Sequence, residues 1–253
     1  MRIIRWFLLL ANLLVPLVWG LSGFSLWGAG AMFIVHMLSL WATFWPSCQW
    51  WGEVTCEFET DAPELWLTID DGPDGEHTRV VMDVLEKSHA CATFFFIGKH
   101  CHNDPGLLAE VERRGHGIGN HTQNHPAYMF WLMGPRRVSR ELSECSLTIE
   151  QLAGSRPTLF RAPAGIRNCF VHPVLSRMKM NLLGWSARGL DGSCNDVDKI
   201  VARIEKRVKP GAIIVLHEGR RTDDGEPLIM KTLPRVLKII ESRGLKAVIP
   251  ELL

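Results

Sequence analysis

The chain has 253 residues and a formal net charge of +1, from 28 basic and 27 acidic side chains. This length suits one folded domain of ordinary size plus a membrane segment. The even charge balance provides no basic field of the kind that binds DNA or RNA, so we expect no nucleic-acid partner. Seven scattered cysteines without CxxC spacing argue against a disulfide framework and favour a reducing compartment.

The beginning of the chain is almost free of charge. Residues 6–52 contain no Asp, Glu, Lys or Arg, a run that a bilayer requires and a core helix does not. We predict a transmembrane segment over residues 1–50, built from two helices near Ile3–Trp19 and Leu26–Trp45. A cleaved signal peptide followed by a single span is the alternative interpretation.

Membrane topology follows from the number of spans. Arg2 and Arg5 precede the apolar run and should hold the N-terminus in the cytoplasm. Two spans then return the rest of the chain to the cytoplasmic side, whereas one span would place it outside. We therefore predict a multi-pass protein of a bacterial-type inner membrane, with its folded domain on the cytoplasmic side.

The remainder, residues 60–253, is predicted to be one domain in which short β-prone runs alternate with helical patterns. The predicted strands are Leu65–Ile69, Ala92–Ile97, His116–Asn120, Thr158–Arg161, Asn181–Ser186, Ala212–Leu216 and Lys246–Ile249. The predicted helices are His77–Ser88, Pro105–Arg114, Pro135–Ala153, Val197–Val208 and Leu228–Arg243. Such alternation predicts a parallel sheet with crossover helices, as either a barrel or an open sheet.

Polar side chains follow the predicted strands at the points where those strands end. These residues are Asp70, Asp71, His121, His125, Arg161, Asp191 and His217. In a parallel β/α barrel the carboxyl ends of the strands form one face, so residues far apart in sequence can meet in one cleft. This shared placement is stronger support for a functional site than any single motif.

Two of these groups carry metal chemistry. The chain reads Thr-Ile-Asp-Asp-Gly-Pro from Thr68, and His-Thr-Gln-Asn-His from His121. Two imidazoles, which could lie one above the other on a helical turn, make with one carboxylate a metal site that leaves positions open for water and substrate. Asp70 and Asp71 are neighbours and point to opposite sides, so one can bind metal while the other acts as a base.

Two further residues suit supporting roles. Arg161, in Phe-Arg-Ala-Pro-Ala-Gly, needs a carboxylate partner if it is buried at a strand end. His217 ends an apolar strand and, in the company of the other groups, suits a proton donor for a leaving amine.

These motifs together resemble the polysaccharide deacetylase family, also called carbohydrate esterase family 4 or the NodB homology domain. The resemblance covers about residues 64–250. Thr68–Pro73 is similar to the family's T-x-DDGP motif and His121–Pro126 to its H-[ST]-x-x-H-P motif. Arg161–Gly165 resembles R-x-P-x-G, and Leu216-His217 resembles the closing L-x-H motif.

The resemblance implies an α/β fold, a distorted parallel β/α barrel that here follows the transmembrane hairpin. It also implies a divalent metal ion, usually zinc, bound by Asp71, His121 and His125. The substrate would be an acylated amino sugar, and the reaction would be hydrolysis of its N-acyl group, usually acetyl.

The same resemblance implies the catalytic residues. Asp70 would be the general base, oriented by Arg161, and His217 would be the general acid. Asp191 aligns with the second aspartate of the family's D-x-x-D-W motif, which tunes the acid histidine. Arg188 and Gly192 replace the first aspartate and the tryptophan of that motif, which weakens the case for long polysaccharide substrates.

Several substrates stay open at this point. The sugar could belong to a glycan or to a lipid-linked saccharide at the membrane, and an undecaprenyl-phosphate-linked sugar could lose a formyl group instead. An O-acetyl esterase is a further alternative, and a glycan-binding pseudoenzyme is the non-enzymatic one.

One loop favours presentation of the substrate at the membrane. The apolar segment Ala127–Met133 follows His125 and precedes Arg136 and Arg137, as in interfacial segments that place rings among acyl chains and cations at phosphates. Phe130 and Trp131 would then contact the membrane; the alternative is that they pack under the following helix.

Overall fold

The computed structural model describes residues 2–251. A helical pair precedes an α/β domain. The helices are α1 (Arg2–Leu21), α2 (Leu26–Phe44), α3 (Glu76–Lys87), α4 (Gly98–Cys101), α5 (Leu107–Arg113), α6 (Pro135–Ala153), α7 (Val171–Met178), α8 (Val197–Glu205) and α9 (Leu228–Ser242). The strands are β1 (Glu64–Asp70), β2 (Ala92–Phe96), β3 (Gly117–Asn120), β4 (Leu159–Phe160), β5 (Asn181–Leu182), β6 (Ala187–Arg188), β7 (Ile213–His217) and β8 (Lys246–Ala247).

All the paired strands of the sheet run parallel. The order is β5-β4-β3-β2-β1-β7-β6, and β8 pairs with the start of β1. The sheet curls with helices around it, and its edge strands β5 and β6 do not pair with each other within the described chain. This curled half-barrel confirms the predicted distorted parallel β/α barrel.

Strand β1 shows why the inside of the half-barrel is partly polar. Its alternate residues from Leu65 to Ile69 join the main apolar core under the helices, because successive side chains point to opposite faces. The other face carries Trp66, Thr68 and Asp70. Trp66 is fully buried and donates a hydrogen bond to Thr93 Oγ1 at 2.9 Å. The strand thus delivers a carboxylate to the interior at its carboxyl end.

Helices α1 and α2 form an antiparallel pair. Asn12 Nδ2 donates a hydrogen bond to Ser39 Oγ across the pair at 2.8 Å. Much of the pair's apolar surface is exposed, with Trp27 at 91%. Both helices are long and apolar enough to cross a bilayer, and an N-terminal signal sequence has the same properties. The side chain of Arg2 lies outside the described part of the chain.

The α/β domain lies at the end of the pair where α1 begins and α2 finishes. Trp51 Nε1 donates a hydrogen bond to Thr43 Oγ1 at 3.0 Å, and Trp51 packs in one apolar cluster with Leu8. Arg167 is buried, donates to Pro46 O at 2.8 Å and also donates to Cys48 O. The start of α1 and the end of α2 are therefore on the same side as the domain.

One predicted strand differs from the structure, and the short helix α4 was not predicted. The strand predicted over Asn181–Ser186 ends at Leu182, because Thr55 donates to the Leu182 carbonyl (3.0 Å) and accepts from the Gly184 N–H (2.8 Å). The chain then re-enters the sheet as β6 on the opposite edge. Helix α7 was not predicted. The proposed division into residues 1–50 and 60–253 stays a prediction.

We predict that Trp66→Ala lowers the free energy of unfolding by about 3–5 kcal/mol, because it empties a fully buried site and removes a large core side chain. Urea unfolding of the full chain in detergent, followed by circular dichroism, would measure the loss. Val80→Ala is the control, since Val80 is exposed and should change stability little. An equal effect of the two substitutions would contradict this account of the core.

Candidate active site

Strand register brings the seven predicted residues to one end of the half-barrel. Asp70 pairs in register with His217 across β1 and β7. Asn120 pairs with Phe160 across β3 and β4, so the residues that follow them, His121 and Arg161, emerge side by side. Parallel strands whose carboxyl ends coincide therefore create the cleft that the sequence predicted.

Asp70 is buried and paired with a buried guanidinium. Arg161 Nη1 donates to Asp70 Oδ1 at 2.7 Å and to Thr68 Oγ1 at 2.6 Å. Arg161 Nη2 donates to the Gly184 carbonyl at 2.8 Å. The second oxygen of Asp70, Oδ2, lies 4.0 Å from His217 Nε2. One oxygen is thus held by Arg161 while the other faces the cleft.

Asp71 faces both histidines, whereas Asp70 Oδ2 lies 3.9 Å from His121 Nε2. Its Oδ1 lies 3.4 Å from His121 Nε2 and 3.2 Å from His125 Nε2. Ligand atoms from these three residues all lie within 4.8 Å of one another. The two neighbouring aspartates thus have different partners, and the trio can hold a metal ion; the division of their roles stays a prediction.

The chemistry of the donor set fits a cation. His121 Nδ1 lies 2.8 Å from the Arg161 carbonyl, which can only accept, so in the neutral ring the lone pair is on Nε2. Asp71 Oδ1 is buried without a hydrogen-bond partner. Burial acts to raise the pKa of Asp71, but the adjacent imidazoles, His121 above all, hold it below the usual range. Burial lowers the pKa of His125 to about 4, and nearby His121 adds to this.

The helical turn predicted for His121–His125 is wrong, because this segment is a loop. Thr122 and His125 have positive φ angles of 68° and 52°, which no right-handed helix permits. Local hydrogen bonds hold this backbone: Asn120 Oδ1 accepts from the Thr122 N–H at 2.8 Å, and Thr122 Oγ1 accepts from the His125 N–H at 3.0 Å. The imidazoles still lie close, with ring centroids 4.8 Å apart.

Glu141 supports this loop, and the sequence analysis missed it. It is buried on α6, and its carboxylate accepts from the backbone N–H and the side-chain amide of Asn124, both at 2.9 Å. Its carbonyl accepts from the Gln123 N–H at 3.0 Å. An acidic residue on the apolar face of α6, three positions after Val138, was the signal available in the sequence.

His217 is hydrogen-bonded to Asp191 on the far side of the cleft from the metal trio. Its Nδ1 donates to Asp191 Oδ1 at 3.0 Å, and its backbone N–H donates to Oδ2 at 2.7 Å. Burial acts to lower the pKa of His217, but Asp191, aided by Asp70 and Asp71, raises it to about 9. His217 is therefore protonated at neutral pH, with the proton on Nε2 directed towards Asp70.

Glu218 is a second buried residue with no role assigned from the sequence. Its Oε2 accepts a hydrogen bond from Thr78 Oγ1 at 2.8 Å. The same oxygen packs directly against Gly72, because a Cβ added to that glycine would lie only 2.3 Å away from it. Burial raises the pKa of Glu218 to about 8. Glu218 therefore packs against the loop that follows Asp71 and supports that loop.

The apolar loop after His125 divides between the core and the surface. Phe130 is fully buried and packs with Val138 of α6, so the expectation that Phe130 contacts the membrane is wrong. The ring of Trp131 lies 5.3 Å from that of Phe44 at the end of α2. Tyr128 is 90% exposed. The loop thus borders the end of the helical pair, although Phe130 points inward.

Gly192, at the position of the family's tryptophan, leaves His217 uncovered on one side. A Cβ at Gly192 would lie 3.8 Å from the imidazole. Arg188, at the position of the family's first aspartate, instead has its guanidinium 5.3 Å from the ring of Trp185.

Comparison with known proteins identifies the family of the chain. The sequence pattern of the polysaccharide deacetylase family matches residues 58–183. A chitooligosaccharide deacetylase of Sinorhizobium fredii is 34% identical over 65% of this chain and 76% of its own. The chain belongs to the polysaccharide deacetylase family. By class it is therefore a hydrolase that acts on carbon–nitrogen bonds.

Two further relatives extend the family comparison. A peptidoglycan-N-acetylglucosamine deacetylase of Bacillus cereus is 30% identical over 78% of this chain and 91% of its own. The solved structure of the peptidoglycan deacetylase PdaC from Bacillus subtilis superimposes with a TM-score of 0.66 at 26% identity, over 76% of this chain and 89% of that one.

We predict that Asp191→Asn lowers the pKa of His217 by about 1–3 units, because loss of an adjacent opposite charge disfavours the imidazolium. Nuclear magnetic resonance titration of His217 in metal-free protein would measure it, with Asp196→Asn, a change at an exposed helix cap, as the control. The pKa of His217 is about 9 in the folded protein and about 6.5 in the unfolded chain. Protonated His217 therefore stabilises the fold fully below pH 6.5, and this contribution is lost as the pH rises through 9. An unchanged pKa in Asp191→Asn would contradict the assigned cause.

Proposed function

We propose that the protein is a metal-dependent N-deacylase that removes an acetyl group from an amino sugar at the membrane. The observation that carries this is the arrangement of Asp70 and His217. Their Oδ2 and Nε2 atoms lie 4.0 Å apart, beside the Asp71–histidine trio. A base and an acid in one cleft, next to a cation site, are what hydrolysis of an amide requires.

The relatives support the substrate class. They are named as deacetylases of chitooligosaccharide and of peptidoglycan N-acetylglucosamine, both of which carry acetylated amino sugars. We therefore assign an acylated amino sugar as substrate, most simply an N-acetyl one. A formyl group is the smaller alternative for the same machinery.

Asp71, His121 and His125 would hold the metal, and two imidazoles with one carboxylate form a donor set that zinc takes. A divalent ion bound there supplies Lewis acidity, which polarises the acyl oxygen and acidifies water. This proposal is supported by the ligand atoms of the three residues, which all lie within 4.8 Å of one another.

Asp70 would act as the general base. Arg161 holds Oδ1, so Oδ2 is the oxygen that can accept a proton. As the oxygen of water forms its bond to the acyl carbon, the water proton passes to Asp70 Oδ2. Arg161 does not touch the substrate in this scheme and acts as a positioning residue.

His217 would complete the reaction as general acid. Its Nε2 proton passes to the sugar nitrogen as the carbon–nitrogen bond breaks, which releases acetate and a free amine. Asp191 holds Nδ1 and keeps the imidazole charged and oriented. Opposite protonation states of Asp70 and His217 are then needed together, and this gives a bell-shaped dependence of kcat/KM on pH.

The acid also separates this reaction from the alternatives. An O-acetyl ester can release an alkoxide, which is far less basic than the nitrogen anion that an unprotonated amine would leave as, so ester hydrolysis needs less help from an acid. The hydrogen-bonded His217–Asp191 pair therefore favours amide hydrolysis. The complete set of base, acid and metal donors argues against a pseudoenzyme that only binds glycan.

The helical pair would anchor this enzyme in the membrane as residues 1–50, with the catalytic domain, residues 60–253, at the cytoplasmic face of a bacterial inner membrane. The exposed apolar surface of the pair supports insertion into lipid. The location of both helix ends beside the domain, described above, supports two spans that keep the domain on the side of the N-terminus.

We predict that His121→Ala and His125→Ala each lose bound metal and activity together. Asp70→Asn should retain the metal and lose activity by about 100-fold or more, because it removes a proton acceptor and not a ligand. Metal content by atomic emission and turnover of acetylated chitotetraose would test both. If Asp70→Asn also empties the metal site, the division of roles between Asp70 and Asp71 is wrong.

We predict that both termini are cytoplasmic. A C-terminal alkaline phosphatase fusion to the full chain should be inactive, because alkaline phosphatase is active only after export from the cytoplasm. A C-terminal green fluorescent protein fusion should fluoresce. The control is the same pair of fusions to a chain in which residues 26–44 are deleted, which leaves one span and should reverse both signals. Active phosphatase on the full chain would place the catalytic domain outside.

A further inference from the structure

A basic cleft lies where the helical pair meets the α/β domain. It has a volume of about 770 Å³ and lies between the end of α2 and the edge strand β6. Trp45, Pro46 and Trp185 form apolar parts of its wall. The proposed reaction uses none of these side chains, so the cleft is open to another role.

The wall that the domain contributes carries an excess of positive charge. Glu57, the acidic residue of the lining, is paired with Lys209 at 2.8 Å. Within residues 2–251, no carboxylate forms an ion pair with any of the cations of the lining. A concave site with several such guanidinium and ammonium groups favours an anion, and phosphate matches these donors well. The four cations are Arg188 of β6, Arg203 of α8, and Lys206 and Arg207, which follow α8.

The other wall belongs to the end of the helical pair that would lie at the membrane surface. Trp45 follows the last turn of α2, and its ring is 49% exposed. Arg5, in the first turn of α1, is at the same end of the pair. Tryptophan and arginine at the ends of membrane-spanning helices are typical of the headgroup level of a bilayer. The four cations of the basic cleft therefore lie at the level of lipid phosphates.

The apolar wall continues from the basic cleft onto the exposed surface of α2. Trp45 stacks on Trp41 at a centroid distance of 4.5 Å, and Trp41 and Phe44 are also exposed. An occupant with an anionic group and an apolar part can contact both the cations and this surface, whereas a free phosphate ion can use only the cations. The shape and charge of the basic cleft thus favour a lipid.

The basic cleft is separate from the catalytic cleft. The ring of Trp185, in its wall, lies 5.8 Å from the guanidinium of Arg161, which in turn holds Asp70. Because Arg161 is fully buried, it separates the two clefts. An occupant of the basic cleft is therefore not the sugar on which Asp70 and His217 act.

We propose that the basic cleft binds the phosphate headgroup of an anionic membrane phospholipid, whose acyl chains lie along the exposed apolar surface of α2. A lipid bound there bridges the end of α2 and the cations of β6 and α8, so it holds the domain in one orientation at the membrane. This inference rests on the proposed membrane insertion of the helical pair and is independent of the reaction.

The test uses the full chain in detergent micelles and compares two double variants of equal charge change. Lys206→Glu with Arg207→Glu alters the basic cleft. The matched control, Lys87→Glu with Lys238→Glu, alters exposed positions on α3 and α9 outside the cleft. Isothermal titration calorimetry measures the binding of dioctanoylphosphatidylglycerol, dioctanoylphosphatidylcholine and inorganic phosphate.

We expect the unmutated chain and the control variant to bind phosphatidylglycerol equally, and more tightly than either other probe. The cleft variant should bind phosphatidylglycerol at least about tenfold more weakly, because each cation near a lipid surface contributes to the attraction. Lys206→Gln with Arg207→Gln guards against misfolding: it adds no negative charge, and it should weaken binding while the circular dichroism spectrum stays unchanged.

Unchanged phosphatidylglycerol binding in both cleft variants would overturn the proposal. Equally tight binding of phosphatidylcholine would overturn the preference for an anionic lipid, and equally tight binding of inorganic phosphate would make the cleft a site for a free ion. Flotation of the unmutated chain with phosphatidylcholine liposomes tests the insertion separately. A chain that does not float would overturn the membrane anchoring and this proposal with it, whereas a chain that floats but binds no phosphatidylglycerol would overturn this proposal alone.

Discussion

The buried pair of Asp70 and Arg161 is the interaction on which the rest of the site depends. Both side chains are almost fully removed from water, and leaving either one unpaired there would cost about 3–5 kcal/mol. Burial lowers the pKa of Arg161, and Asp70 acts against that shift. The guanidinium contacts Thr68 of β1 and the carbonyls of Leu183 and Gly184, which follow β5. The pair therefore forms only when these segments lie in register.

This pairing also explains why one carboxylate can be a base and its neighbour a ligand. Arg161 occupies a single oxygen of Asp70, and Asp70 is the last residue of a fully packed strand, so its direction is fixed. Asp71 leaves the strand with a φ of 72°, and this left-handed conformation turns its carboxylate towards His121 and His125. The same sequence, Asp-Asp, thus provides two chemical roles because the backbone changes direction between its residues.

The sequence predicted the residues of the site better than the shape of the backbone that holds them. Asp70 and His217 could be placed because each follows a clear apolar strand, and strand ends converge in a parallel barrel. The conformation of the loop from His121 to His125 could not be predicted. A spacing of four residues is compatible with a helix, and no local sequence feature indicates a positive φ at Thr122. Strand β6 was missed for a different reason. It has two residues, and it exists because Thr55, from a distant segment, ends the preceding strand.

The positive-φ residues show where the strain of the site lies and what balances it. Asp71, Thr122 and His125 each adopt a conformation that costs about 1–3 kcal/mol for a residue other than glycine, and two of them are proposed metal donors. The opposing contributions come from side chains outside the reaction, Asn120 and Glu141, which satisfy the loop's backbone N–H groups. Asp70 and His217, the proposed base and acid, stand on β1 and β7 without such strain. They are thus fixed by the sheet, whereas the proposed metal donor His125 depends on a loop held by α6, and substitutions on that helix should affect metal binding before they affect the base.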